Sequence, residues 1–335
     1  MIAFATPLQR LRANSSDQFE NGARYLYPSG RPITRLRYLG QQDGQHFYAA
    51  ADDAAATLPP AKAAPPAPHW SETLPAAVGY PDTLNGALLR IRSSTAQKNG
   101  HVILDRSTRG GYRIVEVDAG VLAHDITIGR LKAEDIFRCG VRVRGDRWHI
   151  HDVILKHGAH RNTGRDLPEG IEVHDGTGHL FEDFEISGFY MADVPGQYTN
   201  GDCIATEGGT GGIVRRGRCI GASDGGMDLK GIWYVDDCYI AECNRALRAW
   251  DEVTVGTLRI HNPAGAALWL AKNAKLTVER LIVTSDRPCI LFRSESGGHL
   301  TVKSADLSGV APGSTLKRQD GSGVTWDLSP GCVLP

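Results

Sequence analysis

From about residue 80 onward, apolar residues recur at every second position in short runs, and each run is closed by Gly, Asn or Asp. A spacing of two belongs to strands whose alternate side chains face one side. The runs themselves return with a period near 20 residues, and equivalent apolar positions form three columns. The first is Val143, Val173, Thr206, Leu229, Ala249, Leu270 and Phe292. The second is Val153, Phe184, Cys219, Cys238, Leu258 and Leu281, and the third Ile150, Phe181, Val214, Val235, Val255, Val278 and Val302. All three keep step through coils of unequal length. No single coil could bury its own apolar face, so stacking must supply the core. The predicted fold is all-β: a right-handed parallel β-helix with three strands per coil and a small N-terminal β segment. A leucine-rich solenoid would need a LxxLxLxxN pattern that does not occur, and helical repeats would need apolar spacings of three and four.

The texture divides the chain into a β-rich segment over 1–50, an Ala/Pro-rich linker over 51–79 and the β-helix over 80–335. Two coils carry extra residues, at 156–169 and 188–201. Both insertions precede a strand of the first column, and insertions in solenoids often wall a binding groove. Both are therefore expected to flank one face.

Composition narrows the partners. Lys plus Arg (37) nearly cancels Asp plus Glu (38), so no global charge points to nucleic acid. No apolar run approaches the ~20 residues that span a bilayer. The N-terminal sixteen residues lack the order of a signal peptide, which leaves location open among extracellular, periplasmic and phage-particle settings. The seven cysteines include no CxxC and read as small buried hydrophobes.

If the first column points inward, its neighbours point outward. One outward series is then Arg142, Glu172, Ala205, Asp228, Arg248, Trp269 and Leu291. The adjacent series is Arg144, His174, Glu207, Lys230, Trp250, Ala271 and Arg293. Residues one coil apart on a parallel sheet stand ~4.8 Å apart. Glu172, Glu207 and Asp228 thus meet Lys230 and Arg248, with Asp202 and Asp224 in the turns entering their strands. The centre of this face is acidic, its edge basic and its far end aromatic. Such a ladder could also be a set of cross-strand ion pairs, each worth little, with the tryptophans covered by another segment or a second copy.

These residues resemble the pectin-lyase-like superfamily of carbohydrate-active β-helices over roughly 80–310. AsnGlyAsp at 200–202 and AspGlyGlyMetAspLeu at 224–229 are similar to two of its branches. Likeness to the polygalacturonase-type hydrolases implies Asp202 and Asp224 as acid and base of an inverting hydrolysis. That branch has an Asp where this chain has Ser223, and a Gly-His-Gly where it has CysAsnArgAla (243–246). Likeness to the polysaccharide lyases of the chondroitinase B, alginate lyase and pectate lyase kinds implies β-elimination from an anionic, uronic-acid-containing polysaccharide. Lys230 would then be the base and Arg248 the group that neutralises the substrate carboxylate, with Asp202 and Asp224 as reserve metal ligands, whereas a hydrolase would draw its catalytic carboxylate pair from Asp202, Glu207, Asp224 and Asp228. Ca²⁺ would be held by Glu172, Glu207 and Asp228. His174, Trp250, Trp269, Arg142, Arg144 and Arg293 would bind the substrate. The lyase is the leading expectation, the carboxylate-pair hydrolase the second. The third is a glycan-binding tail spike or adhesin, which would be a homotrimer where the enzyme would be a monomer.

Overall fold

A computed structural model describes residues 2–4, 9–12, 24–26, 32–33, 36–42, 45–50, 89–91, 106–158, 167–191 and 198–335. The chain forms two compact units, Met1–Ala63 and Ala64–Pro335. In the first, Ile2–Phe4 pairs in parallel with Gln45–Ala50, which pairs antiparallel with Leu36–Gln42. Gln9–Arg12, Arg24–Leu26 and Pro32–Ile33 make a second, antiparallel sheet. The Ala/Pro-rich linker expected over 51–79 lies outside the described residues.

The second unit is a parallel β-solenoid of about nine turns, consistent with a right-handed β-helix. Among the described residues there is no helix, and hence none long and apolar enough to cross a membrane. Three strand rows line a continuous apolar core. The third column runs in the expected register throughout: Ile150 pairs with Phe181, Phe181 with Val214, Val214 with Val235, and so on through Val255, Val278 and Val302. The pairing extends it to Ile128 at one end and Leu328 at the other.

Single left-handed residues make the corner between the third and second rows. Asp152, Asp183, Arg216 and Asp237 hold φ values of 51°, 53°, 50° and 47° at this corner on successive coils. Aspartate tolerates that conformation better than most side chains. Arg216, which does not, is held by its Nε on Asp183 at 2.7 Å.

The second column departs from expectation at one coil. Phe184 pairs with Gly217, not Cys219, and Cys219 pairs with Ile186 on one side and Ile240 on the other. A Cβ at Gly217 would stand 2.0 Å from the Phe184 ring, so the buried ring occupies the space a side chain would take. The first column departs at its far end. Leu270 pairs with Ser294, so Phe292 belongs two residues earlier, against Leu268. Ser294 closes the column as a fully buried hydroxyl that donates to the Gly297 carbonyl at 2.7 Å. All seven cysteines are buried and unpaired, as small hydrophobes would be.

Candidate functional site

Strict alternation fails along the first strand row, and that failure shapes the site. Cys203–Ile204, Ala246–Leu247, Ala267–Leu268 and Leu291–Phe292 are consecutive core residues, each at most 1 % exposed. At the coil between, the missing Cβ of Gly226 points at the Ile240 side chain, and Met227 is buried as well. Two inward residues in succession bend the strand. The residue before the pair (Asp202, Gly225, Arg245) and the residue after it (Ala205, Asp228, Arg248) then both face outward, one on each side of the bend. Leu291 is accordingly core and not surface, and Arg293 pairs with Trp269 in the first outward series. Glu295 takes the place given to Arg293 in the adjacent series.

The bend opens a cleft of about 330 Å³ whose lining includes Glu169, Asp202, Asp228, Lys230, Arg248 and Trp250. Leu167 and Tyr198, at the described ends of the two insertions, also reach it. The parts of those insertions over 159–166 and 192–197 lie outside the described residues.

Glu169, Asp202, Glu207 and Asp228 line the cleft, and Asp224 stands close to Asp202. Asp202 is 1 % exposed and accepts the Gly225 N–H at 2.6 Å. No cation pairs with it among the described residues. Burial, with Asp224, Asp228 and Glu169 close by, pushes its carboxyl well above the usual range. Gly225 is what lets these groups approach: a Cβ there would lie 2.6 Å from Asp202 Oδ1 and 3.3 Å from the Asp228 Cβ. Burial also raises Asp228, against the pull of Arg248 at 3.8 Å and of the Trp250 indole N–H, which donates to it. Glu169 is raised to about 7 by burial and the charge of Glu172, although Arg138 donates to it at 3.1 Å. Asp224 differs. The Arg245 guanidinium donates to one oxygen and the Tyr198 hydroxyl to the other, the latter at 2.6 Å.

The basic and aromatic residues are mostly engaged. Lys230 Nζ donates to Glu207 at 2.8 Å, and its side chain remains 28 % exposed. Arg248 donates to Glu295 and lies 4.1 Å from the centre of the Trp250 ring, with Lys272 and Lys230 at 5.1 and 5.5 Å. Trp269, expected as an open platform for a sugar, is 5 % exposed. Arg293 and Arg245 stand 3.8 and 4.4 Å from its centroid, and its indole N–H donates to Glu295 at 2.8 Å. Two guanidinium groups therefore occupy the space a sugar would need. Arg293 is further tied to Asp320 at 2.6 Å.

Toward the N-terminal coils the face becomes a closed ionic network. Arg142 forms two bonds to Glu172, at 2.9 and 3.0 Å, and a third to Glu116 at 3.2 Å. His174 Nε2 lies 2.8 Å from Glu172, and Arg138 3.6 Å. Burial pushes the Glu172 carboxyl up, but His174, Arg138 and Arg142 outweigh it and hold the group well below the usual range. Arg144 follows Val143 beside this network, with its Nε buried and unbonded. Glu172→Gln would remove one of two carboxylate partners from each of Arg138 and Arg142, which keep Glu169 and Glu116, and is expected to cost about 1–3 kcal/mol. Urea unfolding of the variant at neutral pH measures this.

The residues expected to hold Ca²⁺ do not converge. Glu172 and Asp228 are separated by the intervening Ala205 rung, and Glu207 belongs to the adjacent series. The oxygens of Glu172 are taken by Arg142 and His174, and Glu207 is taken by Lys230. Among the described residues no group of three His, Cys, Asp or Glu side chains is arranged to hold a metal ion. The donor set does not fit the cation, and no step below runs through one.

Of the residues singled out from the sequence, Asp202, Glu207, Asp228, Lys230, Arg248 and Trp250 line the cleft; Glu169 and Tyr198 line it too and were not singled out, nor were Arg245 and Glu295, which hold Asp224 and Arg248. Arg245 and Glu169 carried a signal: they flank the double inward step on the same side as Asp202. No protein-family model, curated protein or solved structure matches the chain.

Proposed function

We propose that the protein hydrolyses a glycan in this cleft by acid–base chemistry, with Asp202 as the proton donor and Asp228 as the base. The observation that carries the reading is the setting of Asp202: a carboxyl lining an open cleft, with no cation paired to it among the described residues and with Asp224, Asp228 and Glu169 close by. A carboxyl that holds its proton well above the ordinary range is what the departing glycosidic oxygen requires. Asp228 faces Asp202 across Gly225, and Arg248 and the Trp250 N–H favour its anion. It takes a proton from water as the water oxygen attacks the anomeric carbon, while Asp202 protonates the oxygen that leaves. Trp250 and Tyr198 supply flat apolar surface on the walls. A groove on a solenoid face suits an extended chain.

Elimination by Lys230 has one observation in its favour, the partly exposed amine at the cleft. One experiment separates the readings: a panel of neutral and uronate polysaccharides, followed for both reducing ends and ultraviolet absorbance. Hydrolysis gives reducing ends without an absorbance rise, and Lys230→Ala retains product formation. An absorbance rise on a uronate polymer that Lys230→Ala abolishes would assign the cleft to elimination. Tight glycan binding with neither product would make the protein a binding spike.

A further inference from the structure

We infer that the cleft selects an uncharged glycan unit and rejects a uronate, an inference that rests on the cleft being a glycan site. Among the described residues its lining holds four carboxyl groups, Glu169, Asp202, Glu207 and Asp228, against two cations, Lys230 and Arg248. Both cations already face carboxylates of this chain. Arg248 is bonded to Glu295 and lies beside Asp228, with its side chain 8 % exposed. Its Nε is buried without a bond, and its Nη1 lies 3.8 Å from Asp228. Lys230 is held by Glu207 at 2.8 Å. The guanidinium groups behind the floor are committed as well, Arg138 to Glu169 and Arg245 to Asp224.

A uronate carboxylate entering this space would meet the carboxyl groups of Asp228 and Glu207, and to be neutralised it would have to displace Glu207 from Lys230 or Glu295 from Arg248, where recognition of an anion requires a free, well-aligned guanidinium. A hydroxymethyl group at the same position would meet acceptors to which it can donate. The Trp250 and Tyr198 rings favour uncharged sugar faces without regard to the substituent. The selection therefore arises from rejection of the charged unit more than from attraction to the neutral one.

The test uses matched pairs: polyuronates and their carboxyl-reduced counterparts, identical in linkage, offered to the intact protein. Cleavage rate and equilibrium binding are both recorded, at low and high salt. The expected result is a preference of at least about tenfold for the reduced member, narrowing as salt screens the repulsion. That preference in binding, with no cleavage of either member, supports the inference and removes the hydrolase reading. Faster cleavage of the uronate overturns the inference and leaves a glycan-cleaving site in place. Binding of neither member, or tighter binding of the uronate without cleavage, overturns both.

Discussion

Asp202→Asn is expected to yield a protein that is more stable than the parent and loses hydrolytic activity by about 10²–10⁴-fold, the usual contribution of a general acid. The two effects share one cause. Asparagine retains an oxygen for the Gly225 N–H, so the local hydrogen bond survives. What disappears is a buried ionisable group surrounded by Asp224, Asp228 and Glu169. The sign with pH follows from the raised native value. Below about pH 4 the carboxyl is protonated in both folded and unfolded chains and contributes nothing. As pH rises, the unfolded chain releases its proton while the folded chain retains it, so stability falls. Glu169 adds a loss of the same sign between its ordinary value of 4.5 and about 7. The variant should therefore gain on the parent steadily from pH 4 toward neutrality, by about 1.4 kcal/mol for each pH unit through which the native carboxyl stays protonated. Thermal unfolding across that range, beside reducing-end assays, measures both halves. A variant that keeps full activity would show that Asp202 is not the acid.

The largest purely structural effect is expected at the Phe184–Gly217 contact. Phe184 is fully buried, and its truncation to alanine should cost about 3–5 kcal/mol. Gly217→Ala attacks the same contact from the other side. The new methyl group would overlap the ring at 2.0 Å, and overpacking of this kind costs about 1–3 kcal/mol. Because the two residues share one space, their effects should not add. The double variant Phe184→Leu with Gly217→Ala should recover much of the alanine penalty, a coupling that chemical denaturation of the four proteins reads directly. Additive losses would mean that Gly217 does not face Phe184 and that the register at this coil is different.

That register also shows what the sequence could and could not reveal. The third column was legible from end to end because its strands alternate strictly and their inward residues are β-branched or aromatic. The second column misled at one coil, since the residue that completes it is Gly217 and a glycine leaves no hydrophobic mark. In the first row, alternation is broken by paired inward residues such as Leu291–Phe292, and a strict count of two places Leu291 outside and hides Glu295. Asp202, Asp224 and Asp228 could be found because acidic residues at strand entries of one face stand out against an apolar pattern. Tyr198 could not, since it enters from an insertion whose path no periodicity dictates. Trp269 shows a different limit. Alternation set it on the outward series correctly, but only the structure shows Arg245 and Arg293 covering its ring.

The central claim is that Asp202 holds its proton well above the ordinary aspartate range, in a cleft that can deliver it. Carbon-13 NMR of protein labelled at the aspartate carboxyl carbons, titrated from pH 3 to pH 8, tests it most directly. The account predicts one aspartate signal that stays at the protonated position when ordinary aspartates have ionised near pH 4, and that is missing from Asp202→Asn. Ionisation of every aspartate in the ordinary range, with the Asp202 signal among them, would contradict it.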